Sequence, residues 1–397
     1  MKNQIKSKTF QFNIMEFSGS LGDLGTLIPL SLGMIMVCGL NTSTVLLAIG
    51  LYYVITGLFF KLPLPVQPLK VVAAISLANP SQITSEIIAA AGLSFGIILL
   101  FLGITGIINP IAKLFKKSVT RGIQLGLGLI LIQKGIVYIM NPKLFNWQTT
   151  SIVLIGDISV NLIVSILMIG ITLFFFNAKR VPVAIILVSI GLGLGIFGGG
   201  LNNISLEFGS TGISFAIPTP DNIIIALFLL VLPQLPLTIG NAVIGTVDTC
   251  FSLFGTGEQT KKVSYRSLAN SMGITNCLVG LFSGMPMCHG AGGLAAHFRF
   301  GARTGGSNIM IGTLFIICGL FFGKASFALL NCLPNAVFGT LLMFAGLELA
   351  VLVSDLNHKN DLFVSMTIAG IAISTNNMGV AFISGMIMEK LIQWKKR

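Results

Sequence analysis

Apolar runs long enough to cross a lipid bilayer follow one another along almost the whole chain. A transmembrane helix needs about 20 consecutive, mostly apolar residues, and by that measure the sequence predicts about fourteen complete or partial crossings. Examples are Val45–Phe60, Ile223–Leu237 and Ala336–Val353. Only 9% of the 397 residues are charged and 54% are hydrophobic, which leaves too little polar surface for a soluble globule. The sequence therefore predicts an all-α polytopic membrane protein surrounded by lipid.

The distribution of positive charge predicts how the chain is oriented in the membrane. The net charge is +12, and the Lys and Arg residues fall in alternate gaps such as Lys113–Arg121 and Lys261–Arg266. The gaps Asn202–Asp221 and Ser374–Gly379 contain neither residue. Because positive loops stay on the cytoplasmic side, both termini are predicted to be cytoplasmic, in the plasma or inner membrane of the cell. The basic balance thus reflects topology, and no nucleic-acid partner is predicted.

No polar block interrupts the apolar runs for long enough to form a soluble domain, so residues 1–397 are predicted to form one membrane transport domain. The six cysteines occur singly within apolar runs, as buried small hydrophobic residues do. The sequence contains no nucleotide-binding loop, metal-ligand spacing or nucleophile motif. We therefore expect no enzyme activity, no catalytic residues, no cofactor and no metal.

Two segments resemble each other, and each interrupts an apolar run with proline or glycine. GLFFKLPLPVQPLKVVAA (Gly57–Ala74) overlays without a gap on GLFSGMPMCHGAGGLAAH (Gly280–His297), which places Pro63 on Pro286. Broken apolar segments at corresponding positions of two halves indicate a transporter binding site. The sequence thus predicts two repeats, at about 10–200 and about 220–394. With seven spans each, an odd number, the second repeat is inserted upside down relative to the first.

The broken segments predict two half-helices that meet near the middle of the membrane. Pro68 is expected at the first position of the first half-helix, with Gln67 as its cap and Lys70 in its first turn. The second half-helix is expected to begin around Gly290–Gly293. Each helix N-terminus contributes about half a positive charge and free N–H donors, so with Lys70 the local charge is about +2. Such a site favours a dianion.

Other polar residues lie in apolar surroundings, where they are rare and often functional. Asp23 is predicted to pair with Lys70, to carry a coupling proton or to have a structural role. Glu348 is a second coupling candidate, with a structural bridge as the alternative. His289 is expected to cap the second half-helix, to contact the anion or to titrate. A group of neutral donors completes the predicted cavity wall: Thr26, Gln234, Thr238 and Asn241.

Four segments resemble the signature segments of the molybdate transporter family, which is related to the sulfate permeases. They are EFSGSLGDLGTLIPL, LPLPVQPLKVVAA, LPQLPLTIGNAVIGT and MPMCHGAGGLAAHFRFGARTGG, so the resemblance extends over almost the whole chain. It implies two inverted seven-span repeats, divided into a core and a gate domain, and uptake of a tetrahedral oxyanion. The regulatory domain of the wider sulfate permeases is expected to be missing after Trp394. The resemblance places the site among Gly22, Asp23, Thr26, Gln67, Lys70, Gln234, Thr238, Asn241, His289, Gly290 and Gly292.

Several alternatives remain open at this stage. A nucleobase permease of similar architecture would favour carboxylates near Thr238 and His289, where the nearest one is Asp248. An anion channel would lack a steep proton dependence of uptake, and a membrane scaffold or enzyme would not need two matched broken helices. Sulfate and molybdate are both tetrahedral dianions, so only the family resemblance favours molybdate. The sequence also leaves open whether the protein forms a homodimer.

Overall fold

The computed structural model describes residues 10–112, 116–148, 153, 158–175, 183–200, 207–213, 215, 217–375 and 377–394. Helices make up most of this part of the chain, which confirms the predicted all-α class. The N-terminal lysines and the cluster Lys395–Arg397, on which the predicted orientation partly rests, lie outside the described residues.

The elements follow one another in the first half of the chain as α1 (Ile14–Ser20), α2 (Leu24–Met36), α3 (Thr42–Phe60), β1 (Gln67–Pro68), α4 (Lys70–Ala78), α5 (Ser85–Thr105), α6 (Ile108–Ala112), α7 (Lys117–Ile139), α8 (Val160–Phe174) and α9 (Val183–Phe197). The second half contains α10 (Pro220–Ala226), α11 (Leu232–Leu237), α12 (Thr246–Phe254), α13 (Tyr265–Leu281), β2 (Met287–Cys288), α14 (Ala291–Phe300), α15 (Gly306–Phe321), α16 (Gly323–Asn331), α17 (Asn335–Ala350), α18 (Lys359–Thr375) and α19 (Met378–Trp394).

Several of these helices are long and apolar enough to cross a membrane. In the described part of the chain, five helical stretches meet that condition, and the number is seven if each of two bent pairs counts as one span. The bent pairs are α1 with α2, at 49°, and α15 with α16, at 90°. Two shorter apolar helices, α8 and α9, add to them. The protein therefore crosses the membrane several times, whereas the count of fourteen spans stays a prediction.

One span is longer than the sequence indicated. The predicted crossing Ile223–Leu237 continues to Phe254, so that α10, α11 and α12 form one stretch of 35 residues. Two π-helical segments, Leu227–Val231 and Thr238–Gly245, flank α11 with its two prolines. Proline lacks an amide hydrogen and clashes with the carbonyl one turn earlier, which normally breaks a helix. The wider π turns allow the helix to continue, and such turns often occur at functional sites.

Glycine backbones bring three pairs of helices into close contact: α3 with α15, α5 with α13, and α7 with α17. A Cβ atom on Gly50 would lie 2.6 Å from the carbonyl oxygen of Gly312, and one on Gly128 would lie 2.5 Å from that of Gly346. Within a membrane, glycine stabilises helix pairs because it allows such close backbone packing. The contacts of this kind are Gly50 with Gly312, Gly57 with Gly305, Gly96 with Gly273, Gly128 with Gly346, and Gly135 with Gly339.

The two broken segments meet at a short antiparallel sheet, in which Gln67 faces Cys288 and Pro68 faces Met287. The half-helix α4 begins at Lys70 and α14 begins at Ala291. The second start agrees with the prediction, but the first was predicted two residues too early. The amide of Leu69 donates to the carbonyl of Pro286 at 2.9 Å, so the strand pairing continues past Pro68 and delays the helix.

The starts of α4 and α14 correspond in a different register from that of the gap-free overlay. Lys70 and Ala291 are 221 positions apart, as are the last residues of α3 and α13, Phe60 and Leu281. The gap-free overlay of Gly57–Ala74 on Gly280–His297 uses 223 positions. The equivalent helix ends are therefore two positions out of register with the gap-free overlay. The overlay aligned identical residues rather than equivalent backbone positions.

Side chains from the second half of the chain satisfy the extended backbone that precedes β1. His297 Nδ1 donates to the carbonyl of Pro63 and His289 Nδ1 to that of Pro65, both at 2.9 Å. Asn308 Nδ2 donates to the carbonyl between them, that of Leu64, at 2.7 Å. Irregular backbone at membrane depth persists only where protein or water satisfies its polar groups. These side chains therefore hold the extended segment in place.

Candidate functional site

The half-helices α4 and α14 begin beside a cavity of about 410 Å³. Its lining comes from β1 and helices α2, α4 and α14, together with helices α7, α8, α9 and α17. Seven of the residues predicted for the site or for proton coupling line this cavity: Gly22, Asp23, Thr26, Gln67, Lys70, Gly292 and Glu348. The structure thus brings together residues that are more than 300 positions apart in the sequence.

The other five predicted residues do not line the cavity. Gln234 Oε1 accepts a hydrogen bond from the amide of Val71 at 2.8 Å, and its Nε2 donates to Thr238 Oγ1 at 2.8 Å. Gln234 and Thr238 therefore support the first turn of α4 from behind, where they are buried. Asn241 lies further along the same π segment. None of these three residues lines this cavity, and their role in substrate binding stays a prediction.

His289 is likewise turned away from the cavity, and both of its ring nitrogens are used. Nδ1 donates to the Pro65 carbonyl at 2.9 Å, which makes Nε2 the acceptor for the hydroxyl of Tyr52 at 2.8 Å. The N-cap of α14 is Gly290, not His289. With its two ring nitrogens bound to Pro65 and Tyr52, His289 positions the extended segment.

The carboxylate of Asp23 pairs with Gln67 rather than with Lys70. Gln67 Nε2 lies 2.8 Å from both Asp23 Oδ1 and Asp23 Oδ2. Asp23 occupies the N-cap position of α2, yet its side chain does not cap that helix. Lys70 lines the cavity without an ion pair among the described residues. The predicted direct pair between Asp23 and Lys70 is therefore replaced by a carboxylate–amide pair, with Lys70 left to face the cavity.

The Asp23–Gln67 pair lies directly on the first turn of α14. A Cβ atom on Gly290 would lie 2.5 Å from Gln67 Oε1, and one on Gly293 would lie 2.6 Å from Asp23 Cγ and 2.7 Å from Gln67 Nε2. Both positions therefore require glycine, since any side chain would displace the pair. Gly293 was not predicted as a site residue, although the run GAGG indicates close packing against the backbone. By contrast, a Cβ on Gly292 would have no neighbour within 4 Å and would enter the cavity.

Several helix amides remain free at this site. Among the described residues, the amides of Ala291, Gly292 and Gly293 have no hydrogen-bond partner, as expected for the first turn of a helix. At α4 the amide of Val71 is taken by Gln234, and that of Lys70 has no partner in the same part of the chain. Free N–H groups and the positive end of the helix dipole together form a favourable site for an anion.

A third helix end, which the sequence did not predict, also faces this cavity. The first apolar run breaks between α1 and α2 with a bend of 49°, and α2 begins at Leu24. Gly25 and Thr26, in the first turn of α2, line the cavity. This break is hard to find from the sequence, because SLGDLGT contains no proline and interrupts an otherwise continuous apolar run.

Helix α17 contributes one charged residue to the cavity lining. Glu348 of α17 is exposed, and it lines the cavity together with Phe344 and Leu352 of the same helical stretch. The charged side chains that line the cavity are therefore Lys70, Asp23 and Glu348. With both carboxylates ionised, the side chains alone carry a net negative charge, which the free helix ends oppose.

The profile of a family described as "Molybdate transporter of MFS superfamily" matches residues 15–131 and 226–349, more than half of the chain. The chain belongs to this molybdate transporter family. The two matched stretches contain all twelve residues predicted for binding or coupling. Membership indicates anion transport.

Plant and algal relatives match over nearly the full length. The chain is 32% identical to molybdate transporter 2 of Arabidopsis thaliana, with 95% of this chain and 87% of that protein covered. It is 29% identical to molybdate transporter 1 of the same plant over 95% of this chain and 87% of that protein. It is 25% identical to molybdate transporter 1 of Chlamydomonas reinhardtii, with 97% and 92% covered.

Solved structures with the same fold come from a different group of transporters. The transmembrane domain of the cyanobacterial bicarbonate transporter BicA matches with a TM-score of 0.65 and 14% identity, covering 94% of this chain and 96% of that one. The murine anion transporter Slc26a9 in its inward-facing state matches with a TM-score of 0.67 and 15% identity, covering 98% and 70%. At this level of identity the matches establish the shared fold.

Proposed function

We propose that this protein is a secondary active transporter that imports a tetrahedral oxyanion, most specifically molybdate, across the plasma or inner membrane. The observation that carries the proposal is the meeting of α4 and α14, whose N-terminal amides lie with Lys70 beside one cavity. With Asp23 protonated, a neutral heterocycle would leave these positive groups only partly balanced in a low-dielectric site, whereas a dianion complements them. Molybdate is proposed from the names of the relatives.

We also propose that the cavity opens to the cytoplasm, with both termini on that side. The lining includes Phe300, which follows Arg299 directly, and Leu352, which lies three residues before Asp355. Asp355 pairs with Lys117 at 3.0 Å and with Arg121 at 2.6 Å. This end of the cavity is therefore rich in positive residues, which are typical of a cytoplasmic surface.

The opposite end of the cavity is apolar. Leucines from four helices line it, and side chains of this kind exclude water and ions from the path to the outside. These residues are Leu30 of α2, Leu131 of α7, Leu187 of α9 and Leu341 of α17, all of them buried. An opening on the basic side and an apolar closure on the other side support an inward-facing state.

The packing of the helices supports the proposed inverted repeats. If α3 corresponds to α13 and α5 corresponds to α15, a two-fold operation exchanges the pair α3–α15 with the pair α5–α13. Both pairs are in close contact, and both have glycine against glycine: Gly50 with Gly312 in one, Gly96 with Gly273 in the other. A third such pair, α7 with α17, would map onto itself. Transporters built from inverted repeats place their substrate site between the two halves.

Proton coupling through Asp23 completes the proposal. The carboxylate of Asp23 lies on the first turn of α14, where an oxyanion would also be attracted. Two like charges 4 Å apart repel each other by about 4 kcal/mol at an effective dielectric of 20. Protonation of Asp23 removes that repulsion, so anion binding and proton binding favour each other. Glu348, which lines the same cavity, is the second candidate for this role.

Uptake into proteoliposomes tests the proposal. Purified protein should accumulate labelled molybdate when the outside is acidic, and unlabelled tungstate or sulfate should compete to an extent that ranks the oxyanions. Empty liposomes and liposomes with the Lys70→Met variant are the controls. Uptake of a nucleobase but of no oxyanion would contradict the proposed substrate class, and equilibration without accumulation would indicate a channel.

A further inference from the structure

The side-chain amide of Gln67 lies at the centre of the site with half of its hydrogen-bonding capacity unused. Nε2 is bound by both carboxylate oxygens of Asp23, whereas Oε1 has no hydrogen-bond partner among the described residues. Gln67 is 1% exposed, so solvent does not supply one. A buried carbonyl oxygen without a donor is unfavourable, and its presence beside a cavity requires a physical reason.

The orientation of this amide follows from the charge of Asp23. An ionised carboxylate accepts hydrogen bonds and donates none, so Gln67 must turn its NH2 group toward Asp23. Its oxygen then lies beside Gly290, the N-cap of α14, because a Cβ atom on Gly290 would lie 2.5 Å from Oε1. A protonated Asp23 reverses this requirement, since its O–H group is a donor and seeks the amide oxygen.

From this geometry we propose that Gln67 is a substrate-binding residue whose amide turns over when Asp23 takes up a proton. The proton is taken up from the solvent on the side to which the cavity opens. The Asp23 O–H then donates to Gln67 Oε1, and a half-turn about the last side-chain torsion places Nε2 where Oε1 was. There its N–H groups lie beside the free amides of α14, and an oxyanion bound at that turn accepts hydrogen bonds from both.

The rotation of the Gln67 amide is favourable only when the anion is present. Without the anion, the rotated Nε2 would place its donors beside the N–H donors of α14, which also need acceptors. With the anion bound, both Nε2 and the α14 amides donate hydrogen bonds to it. Protonation of Asp23 thus does more than remove a negative charge, because it also supplies one more donor to the substrate. This inference deepens the proposed proton-coupled transport and rests on it.

Other titratable groups surround Asp23, and their hydrogen bonds define what each contributes. The Tyr53 hydroxyl donates to the Val66 carbonyl at 3.3 Å, and the Cys288 thiol donates to the Pro68 carbonyl at 3.8 Å. Both are therefore held as neutral donors. Three of these groups interact electrostatically with Asp23: Lys70 of α4, Tyr53 of α3 and Cys288 of β2. His297 of α14 stacks on Tyr53, and Glu348 of α17 lines the same cavity.

Binding of molybdate to the purified protein in nanodiscs tests the inference, measured by calorimetry at acid and alkaline pH. Gln67→Met retains the length of the side chain and removes the amide. We expect it to weaken binding about tenfold at acid pH, the loss of one hydrogen bond to a charged ligand, and to change little at alkaline pH. In the Asp23→Asn background, which stays neutral, the same substitution should weaken binding equally at both pH values.

The matched control is Gln124→Met, which removes a buried glutamine of α7 outside the cavity lining and should leave the pH dependence of binding unchanged. Equal loss at both pH values in Gln67→Met with Asp23 intact, or no loss at all, overturns the inference while leaving oxyanion transport standing. Wild-type protein that binds no oxyanion at any pH overturns both. If Gln67→Met does not fold, Gln67→Glu decides: it should abolish binding, and unchanged binding overturns the inference.

Discussion

Asp23 and Gln67 are 44 positions apart in the sequence, and the Gln67 amide nitrogen lies 2.8 Å from both carboxylate oxygens of Asp23. This pair rests on the first turn of α14, against Gly293. It brings together the break between α1 and α2, the strand β1 and the second half-helix at one point. A change in the charge of Asp23 therefore affects all three elements at once.

Asp23→Asn should retain molybdate binding and lose its pH dependence. The asparagine is neutral at every pH and close in shape to the protonated acid, so the repulsion between carboxylate and oxyanion is absent throughout. Because no proton is taken up with the anion, accumulation against a gradient should fall to equilibration. Binding and proton-driven uptake in the same preparation measure both effects. Wild-type accumulation by this variant, with the wild-type pH profile, would exclude Asp23 as the coupling residue.

Lys70→Met should weaken oxyanion binding at least tenfold at all pH values. Lys70 is the one positively charged side chain that lines the cavity in the described part of the chain, and a charged hydrogen bond contributes about 1.5–3 kcal/mol. Lys134→Met is the matched control, because Lys134 lies within the apolar helix α7 but does not line the cavity. Similar loss in both variants would show that the lysines stabilise the fold rather than bind the substrate.

The sequence predicted the class of fold and the existence of the broken segments, because composition, hydropathy and proline positions act locally. It also placed Gly22, Asp23, Gln67 and Lys70 in one site, largely through the family resemblance. It did not predict which polar groups pair. Lys70 and Asp23 were expected to meet, and Gln67 meets Asp23 instead, because the strand pairing delays the start of α4 and turns Gln67 toward α2.

The predicted site residues that lie outside the cavity lining share a physical cause. Gln234 and His289 are polar residues in broken apolar segments, as ligand-binding residues are, but each supports irregular backbone instead. Both roles require a hydrogen-bonding side chain within the membrane, so the residue type alone cannot separate them. The separation depends on whether a free amide or carbonyl lies nearby, which is a property of the assembled fold.

The proposed orientation can be tested with single cysteines in a variant that lacks the native ones. Ser81 is exposed in the loop between α4 and α5, and Lys262 is exposed between α12 and α13. Ser81→Cys should react with an impermeant thiol reagent in intact cells, whereas Lys262→Cys should react only after the membrane is permeabilised. The reverse pattern would overturn the proposed orientation, and labelling of both sites in intact cells would contradict an odd number of crossings between them.

Gln234→Leu should destabilise α4 without placing anything in the cavity. Gln234 Oε1 is the partner of the Val71 amide, and removing it leaves a buried donor unsatisfied at a cost of about 1–3 kcal/mol. We expect a lower thermal midpoint for the purified protein, and weaker binding only through the displaced first turn. Molybdate at saturating concentration should restore part of the lost stability, since ligand binding stabilises the folded state. Unchanged stability would mean that water replaces the glutamine.

Gly292→Val should abolish transport while the protein still folds. A Cβ atom on Gly292 meets nothing within 4 Å, and Gly292 lines the cavity, so the new side chain occupies the space of the anion rather than that of the protein. The matched control is Gly170→Val in α8, another helical glycine with no neighbour within 4 Å that does not line the cavity; it should transport normally.

Gly290→Val differs from both, because its side chain would collide with Gln67 Oε1 and separate the Asp23–Gln67 pair. We therefore expect Gly290→Val to lose stability as well as transport. Melting temperature and molybdate uptake, measured on the three variants, distinguish these outcomes; normal uptake by Gly292→Val would place the anion away from the first turn of α14.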